Sequence, residues 1–279
     1  MIRENIFINL IHFLYKKIIF QILNHKKFEI KKTNKNIIII GAGLTINELT
    51  KKNLNYFEKH FDIATLSYGA LVPKKIDFFF YEPPDPNRYN ELFYNNYITN
   101  VLPELKKIMK KSSTKNIIIK NIFDKNFPLN MNSKKIYKIF NWGIRAKSLK
   151  RIFKIYKILD YFKFTKKNII QKRGSIVGLI IWALENGYEK VILAGIDLNS
   201  YTYFFEKNKN FEKKKFLSLE KNTKPNISLN NLHPTAVIRG NLNILDIFNE
   251  LNKKYKSRIY LTSKNSKLSK IFPVFKYDA

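Results

Sequence analysis

The sequence predicts an α/β fold with a Rossmann-like, doubly wound and mostly parallel sheet, and three observations predict it. Short β-branched or aromatic runs, Ile37–Ile40, Ile63–Leu66, Ile76–Tyr81 and Val191–Ile196, are apolar at successive positions and so suit strands buried on both faces. The first of them runs into Gly41 and Gly43 and then Thr45, a residue able to cap a helix starting near Ile46, which gives the order strand, glycine turn, helix. Finally, Val177, Ile180, Ile181 and Leu184 repeat at helical spacing until Gly187, and the Val191 strand follows at once, as in a crossover unit of a parallel sheet.

Taken along the chain, residues 1–35 read as an amphipathic helix and tail, with Phe7, Ile11, Leu14 and Ile18 recurring at helical spacing. That helix can lie on a membrane or pack on the protein. Residues 36–279 form the folded domain. Its third strand ends at Pro83 and Pro84, which cannot continue a ladder, and a fourth runs from Asn116 to Phe123. The stretch 128–167 is aromatic, rich in lysine and weakly periodic, and is expected to be an inserted lid; 207–231 is expected to be a mobile loop. A helix over 241–255 and a strand over 258–261 close the domain.

The chain has 279 residues, 45% of them hydrophobic, enough to bury a sizeable core. Lys and Arg number 52 against 21 Asp and Glu, a net charge of +31. The basic residues are spread along the chain instead of gathering in one stripe, which argues against specific nucleic-acid recognition and for an anionic surface or ligand. No cysteine is present, so disulfides and thiolate metal sites are excluded, and the composition fits a reducing cytoplasm. No segment carries enough uncharged apolar residues to cross a bilayer, because Lys16 and Lys17 interrupt the nearest approach.

Candidate site residues cluster where strands are expected to end. The turn Gly41-Ala42-Gly43 has half of a dinucleotide fingerprint, with Ile46 in place of a third glycine; its amides, with that of Thr45, can approach a phosphate, or the glycines can serve a tight structural turn. An acidic residue to hold a ribose is missing after the second strand, where Ser67 and Tyr68 stand, which lowers a nicotinamide reading. Glu82 and Asp85 follow the third strand and could hold a cation, accept hydrogen bonds from a sugar, or form an acidic turn; no D-x-D triplet occurs in the chain. Beyond Gly195 and Asp197, the loop with Asn199, Tyr201 and Tyr203 is rich in hydroxyls and rings. It can stabilise a departing phosphate by hydrogen bonding or plug the sheet edge. His233 precedes Pro234 and opens onto the last helix, where an imidazole poised near neutral pH can accept a proton or be merely structural.

Together, "GSIVGLIIWALENGYEKVILAGIDLNSYTYFFE", "LHPTA" and "IYLTSKNSKLSKIFP" resemble the bacterial sialyltransferases of glycosyltransferase family 42, lipooligosaccharide enzymes of Campylobacter and Haemophilus. The resemblance implies a GT-A-like variant of the Rossmann-like sheet and a metal-independent, inverting transfer that needs no cofactor. By position, His233 corresponds to the base, Tyr203 and then Tyr201 to tyrosines holding the leaving phosphate, and Ser175 to the serine at a helix start near the donor. Arg173 or Lys172 corresponds to the neighbouring basic residue. Gly41, Ala42, Gly43, Thr45, Ser67, Glu82, Gly195, Asp197 and Asn199 would line the donor site. Ala42, Ser67 and Glu82 stand where the family has asparagines that serve donor recognition, so the implied donor is a CMP-linked sialic-acid-like or other 2-keto sugar acid. The implied acceptor is a surface glycan or glycolipid, as in lipopolysaccharide or capsule synthesis. The expected location is the cytoplasm, peripheral to the inner membrane, with homo-oligomers allowed. The alternative from the residues alone is a nucleotide-binding pyrophosphokinase or a non-catalytic polyanion-binding protein.

Overall fold

The structure, a computed structural model, describes residues 5–23, 31–82, 91–110, 113–120, 136–200, 202–207 and 242–277. Its centre is a seven-stranded sheet in which every paired neighbour is parallel. The strands are β1 (Ile37–Ile40), β2 (Asp62–Leu66), β3 (Ile76–Tyr81), β4 (Thr114–Lys120), β5 (Ile136–Ile139), β8 (Val191–Ala194) and β9 (Ile259–Leu261). Their spatial order is β5-β4-β3-β2-β1-β8-β9. The chain winds outward from β1 in one direction and returns on its other side at β8, so the order reverses between β1 and β8, where open α/β sheets place their ligands. β6 (Asn141–Gly143) and β7 (Ile169–Gln171) form a separate two-stranded parallel ribbon.

Alternation of side chains along the central strands feeds two cores, one on each face of the sheet. Ile37, Ile39, Phe78, Phe80, Val191 and Leu193 enter the first, while Ile38, Ile40, Phe79, Tyr81, Ile192 and Ala194 enter the second. This is why β1 can be four isoleucines in a row: both of its faces are interior. The first core is covered by α1 (Ile6–Leu23), α5 (Leu149–Tyr161), α7 (Ser175–Glu185) and the last helix, α9 (Ile244–Lys254). α2 (Lys51–His60) and α4 (Leu102–Lys110) cover the second. Two short helices, α3 (Glu91–Asn96) and α6 (Phe164–Lys167), lead into α4 and out of α5. Thr50 opens α2 with a reciprocal capping box to Asn53.

One expectation on domain organisation needs correction. Residues 136–167, expected as part of a lid, are built into the body: β5 extends the sheet beside β4, and Ile152, Ile155, Tyr156 and Leu159 of α5 are buried in the first core. The amphipathic helix, for which the sequence left packing on the protein or lying on a membrane open, packs on the body through Phe13, which is fully buried against Phe140, Trp142 and Phe164. The remainder of the expected lid, 128–135, and residues 208–231 of the expected loop lie outside the described residues.

Candidate active site

All seven strands point the same way, so the turns leaving β1, β2, β3 and β8 emerge on one edge of the sheet, where α7, running antiparallel to the strands, also begins. The turn after β1 is clamped between the exit of β8 and the loop beyond it. Gly41 N–H donates to the Ala194 carbonyl and Gly43 N–H to the Gly195 carbonyl, both at 2.8 Å, while the Ala42 carbonyl accepts from Phe204 N–H at 2.9 Å. A Cβ on Gly43 would collide with the Asp197 carboxylate and stand 2.9 Å from the Gly195 oxygen. Gly195 has φ of 63°, the left-handed region that glycine adopts without penalty, and a side chain there would strike Ile46.

Asp197 is the organising residue of this seam. It is 5% exposed and accepts from the Thr45 amide at 3.0 Å and from the Thr45 hydroxyl. Burial pushes its carboxyl above the ordinary range, against the opposing pull of those hydrogen bonds. The start of the 3-10 turn Leu44–Glu48 is therefore already occupied by a carboxyl group, supplied by the protein itself. This corrects the expectation that the amides of Gly41, Gly43 and Thr45 contact a phosphate: all three donate within the fold. The two glycines serve close packing between the β1 and β8 exits.

The tyrosine loop is anchored to the same turn. Gly43 and Tyr203 form an isolated antiparallel bridge, and Tyr203 N–H donates to the Glu206 side chain at 2.7 Å, which fixes the start of the short helix α8 (Phe204–Lys207). The Tyr203 ring lies 5.1 Å from that of Tyr68, after β2, and 5.2 Å from that of Phe205. Asn47 donates to the Phe204 carbonyl at 2.9 Å, and Asn199 to the Asn265 carbonyl at 2.8 Å. Glu48 accepts from Ser263 and Asn265, bringing the exit of β9 to the same edge.

At the next strand ends, Ser175, the first residue of α7, donates its hydroxyl to Glu82, just past β3. Lys172 donates to the Ile144 carbonyl at 3.0 Å, joining the exits of β6 and β7. Between Lys172 and Gly174, which bridge one another, Arg173 takes φ of 70°, and Leu198 takes 62° beside Asp197. Non-glycine residues in this region cost free energy, and such strain gathers at functional edges.

The structure thus brings Gly41, Ala42, Gly43, Thr45, Gly195, Asp197 and Tyr203 into one seam, with Asn199 on its flank. It pairs Glu82 with Ser175, next to Arg173, on the β3 side. Ser67 begins the 3-10 turn Ser67–Leu71 after β2. His233, Tyr201 and Asp85 lie outside the described residues. Sequence reasoning missed Tyr68 and Glu206 as neighbours of Tyr203. The Tyr203-to-Glu206 spacing of a capping box was a readable signal for the second; nothing local pointed to the first.

Scanned against protein-family models, the chain matches none, and a search of curated proteins also returns no match. Among solved structures it is similar to the sialyltransferase CstII from Campylobacter jejuni in complex with the substrate analogue CMP-3FNeuAc, at 20% identity and a TM-score of 0.43, covering 88% of this chain and 86% of that one. It is also similar to CST-II in complex with trisaccharide acceptor and CMP, at 21% identity and 0.43 over 86% and 85%. A third is the monofunctional α-2,3-sialyltransferase Cst-I from Campylobacter jejuni, at 18% identity and 0.42 over 89% and 83%.

Proposed function

We propose that this edge of the sheet is the donor site of a glycosyltransferase that moves a 2-keto sugar acid of the sialic-acid kind from a CMP-activated donor to a glycan, inverting the anomeric centre. The observation that carries the reading is the Gly43–Tyr203 bridge. It sets a tyrosine-bearing loop against the turn leaving β1, at the reversal of strand order. The sequence resemblance of the α7-to-α8 segment supports the same assignment.

In this reading the acceptor hydroxyl oxygen attacks the anomeric carbon as the bond from that carbon to the phosphate oxygen breaks. The hydroxyl proton passes to the His233 imidazole, and the electron pair leaves with cytidine monophosphate. The Tyr203 hydroxyl, joined by Tyr201, donates to the phosphate oxygen as charge builds there. Glu82, held by Ser175, faces the sugar and accepts from its hydroxyls, where an asparagine would both donate and accept. Asp197 does not touch the donor; it fixes the turn that bounds it.

Cytidine monophosphate should raise the melting temperature of the protein with a chelator present. Stabilisation that requires magnesium and adenosine triphosphate instead would point to a pyrophosphokinase and end the proposal. His233→Ala should lower turnover by about 10²- to 10⁴-fold with the fold intact, the usual contribution of general-base catalysis. Turnover near the parent value would remove His233 from the role.

A further inference from the structure

α1 carries two apolar faces. One is the face that docks: Asn9 and Phe13 are buried, Asn9 Oδ1 accepts from Arg145 N–H at 3.0 Å, and Trp142 Nε1–H donates to His12 Nδ1 at 2.9 Å. On the opposite face Phe7 is 69% exposed, Ile11 50%, Leu14 46%, Ile18 56% and Ile22 66%. Spaced four, three, four and four residues apart, these side chains form one stripe along a helix about 27 Å long. Large exposed apolar stripes of this kind mark contact surfaces.

We infer that the outer face of α1 is a docking surface for an anionic lipid bilayer, with the helix lying in the plane of the interface. Charge decides between a bilayer and a second copy of the chain. Residues 5–23 contain no Asp or Glu, so no acidic side chain of the helix borders the stripe, while Lys16 and Lys17 make the helix basic; Lys17 Nζ lies toward the docked side, 3.7 Å from the centre of the Phe164 ring, which stands 5.2 Å from Phe13. A self-complementary contact would bring two such acid-free, basic helices together, on chains that each carry +31. Anionic headgroups neutralise the positive charge of the chain while the acyl boundary takes up the stripe. No helix among the described residues is long and apolar enough to cross a membrane.

Vesicle binding is measured without substrate, so this inference stands or falls independently of the transferase reading. The test uses the full chain with phosphatidylcholine vesicles doped with phosphatidylglycerol. Deleting α1 would remove Phe13 from the core, so the variant is the neutral double substitution Ile11→Ser, Ile18→Ser, which leaves every charge in place. It should retain the parent melting temperature and partition onto the vesicles roughly tenfold or more weakly. A Phe7→Trp chain should show blue-shifted emission on vesicle addition, relative to the parent chain. Equal partitioning of the double variant would mean that charge alone adsorbs the protein, and would overturn the inference. Sedimentation showing a dimer that the double variant converts to monomer, with no emission shift from the Phe7→Trp chain on vesicles, would overturn it in favour of a second copy.

Discussion

α1 and α7 are two apolar helices with opposite surroundings. Every residue of α7 from Ile176 to Leu184 is buried, with Trp182 wedged edge-on against Phe78 and Phe80 of β3 at ring distances of 5.6 and 4.9 Å. α1 has one stripe as deep as anything in α7, since Phe13 is fully buried, and an equally apolar stripe in water. A helix apolar all round is expected to be enclosed. α7 meets that expectation inside the chain, and α1 meets only half of it. Apolar composition therefore fixes how much surface a helix must cover, while the fold decides whether the cover comes from the same chain.

The sharpest way to break the comparison is to truncate a large ring in each helix. Trp182→Ala should destabilise the protein by about 3–5 kcal/mol, the usual cost of emptying a large buried site. Phe13→Ala should cost about as much, because its ring touches Phe140, Trp142 and Phe164. Urea denaturation measures both. If Phe13→Ala falls below about 1 kcal/mol while Trp182→Ala does not, α1 is loosely held and the comparison fails.

The same contrast shows what was legible in the sequence. β1, β3 and β8 read clearly because both of their faces are interior, so no polar residue breaks the runs. β5, β6 and β7 did not, because polar residues interrupt them: β5, at the sheet edge, carries Lys138 within it, and Asn141 and Gln171 leave β6 and β7 with only two other residues each. In α5 the stripe Ile152, Ile155, Tyr156, Leu159 is present, but Lys154 and Lys157 between its members, with Lys150 and Arg151 before it, make the segment read as a lysine-rich insertion. At the site, the position of the glycine turn at a strand end was legible and the use of its amides was not. The Asp197–Thr45 pair spans 152 residues, and no local spacing could show that a carboxylate would already occupy that helix start.

A pH series sharpens the comparison further, because the docked face of α1 contains a titratable group and the buried residues of α7 contain none. His12 Nδ1 accepts from Trp142 Nε1–H and must be unprotonated to do so. Partial burial, then Arg145 and Lys16, hold its pKa below the ordinary value of 6.5. Folding therefore favours the neutral ring. The stabilisation is complete above the ordinary pKa and is lost as pH falls through the lower folded value. Stability of the parent chain should decline in that window, and His12→Gln, which can accept the same hydrogen bond without titrating, should show a flatter profile. Parallel profiles would mean that His12 does not couple to the docking of α1.

The smallest effect is expected on the outer stripe, and it separates exposure from hydrophobicity. Ile18→Ser in buffer should change stability by no more than about 0.5 kcal/mol, the usual range for surface positions. Ile180→Ser in α7 removes the same side chain from a fully buried site and should cost several-fold more, since it leaves a cavity and buries a hydroxyl. The two substitutions are chemically identical, so the difference between them measures the enclosure that α7 has and the outer face of α1 lacks in water. A large loss from Ile18→Ser in buffer alone would mean that the stripe is already covered in solution, and the contrast between the two helices would disappear.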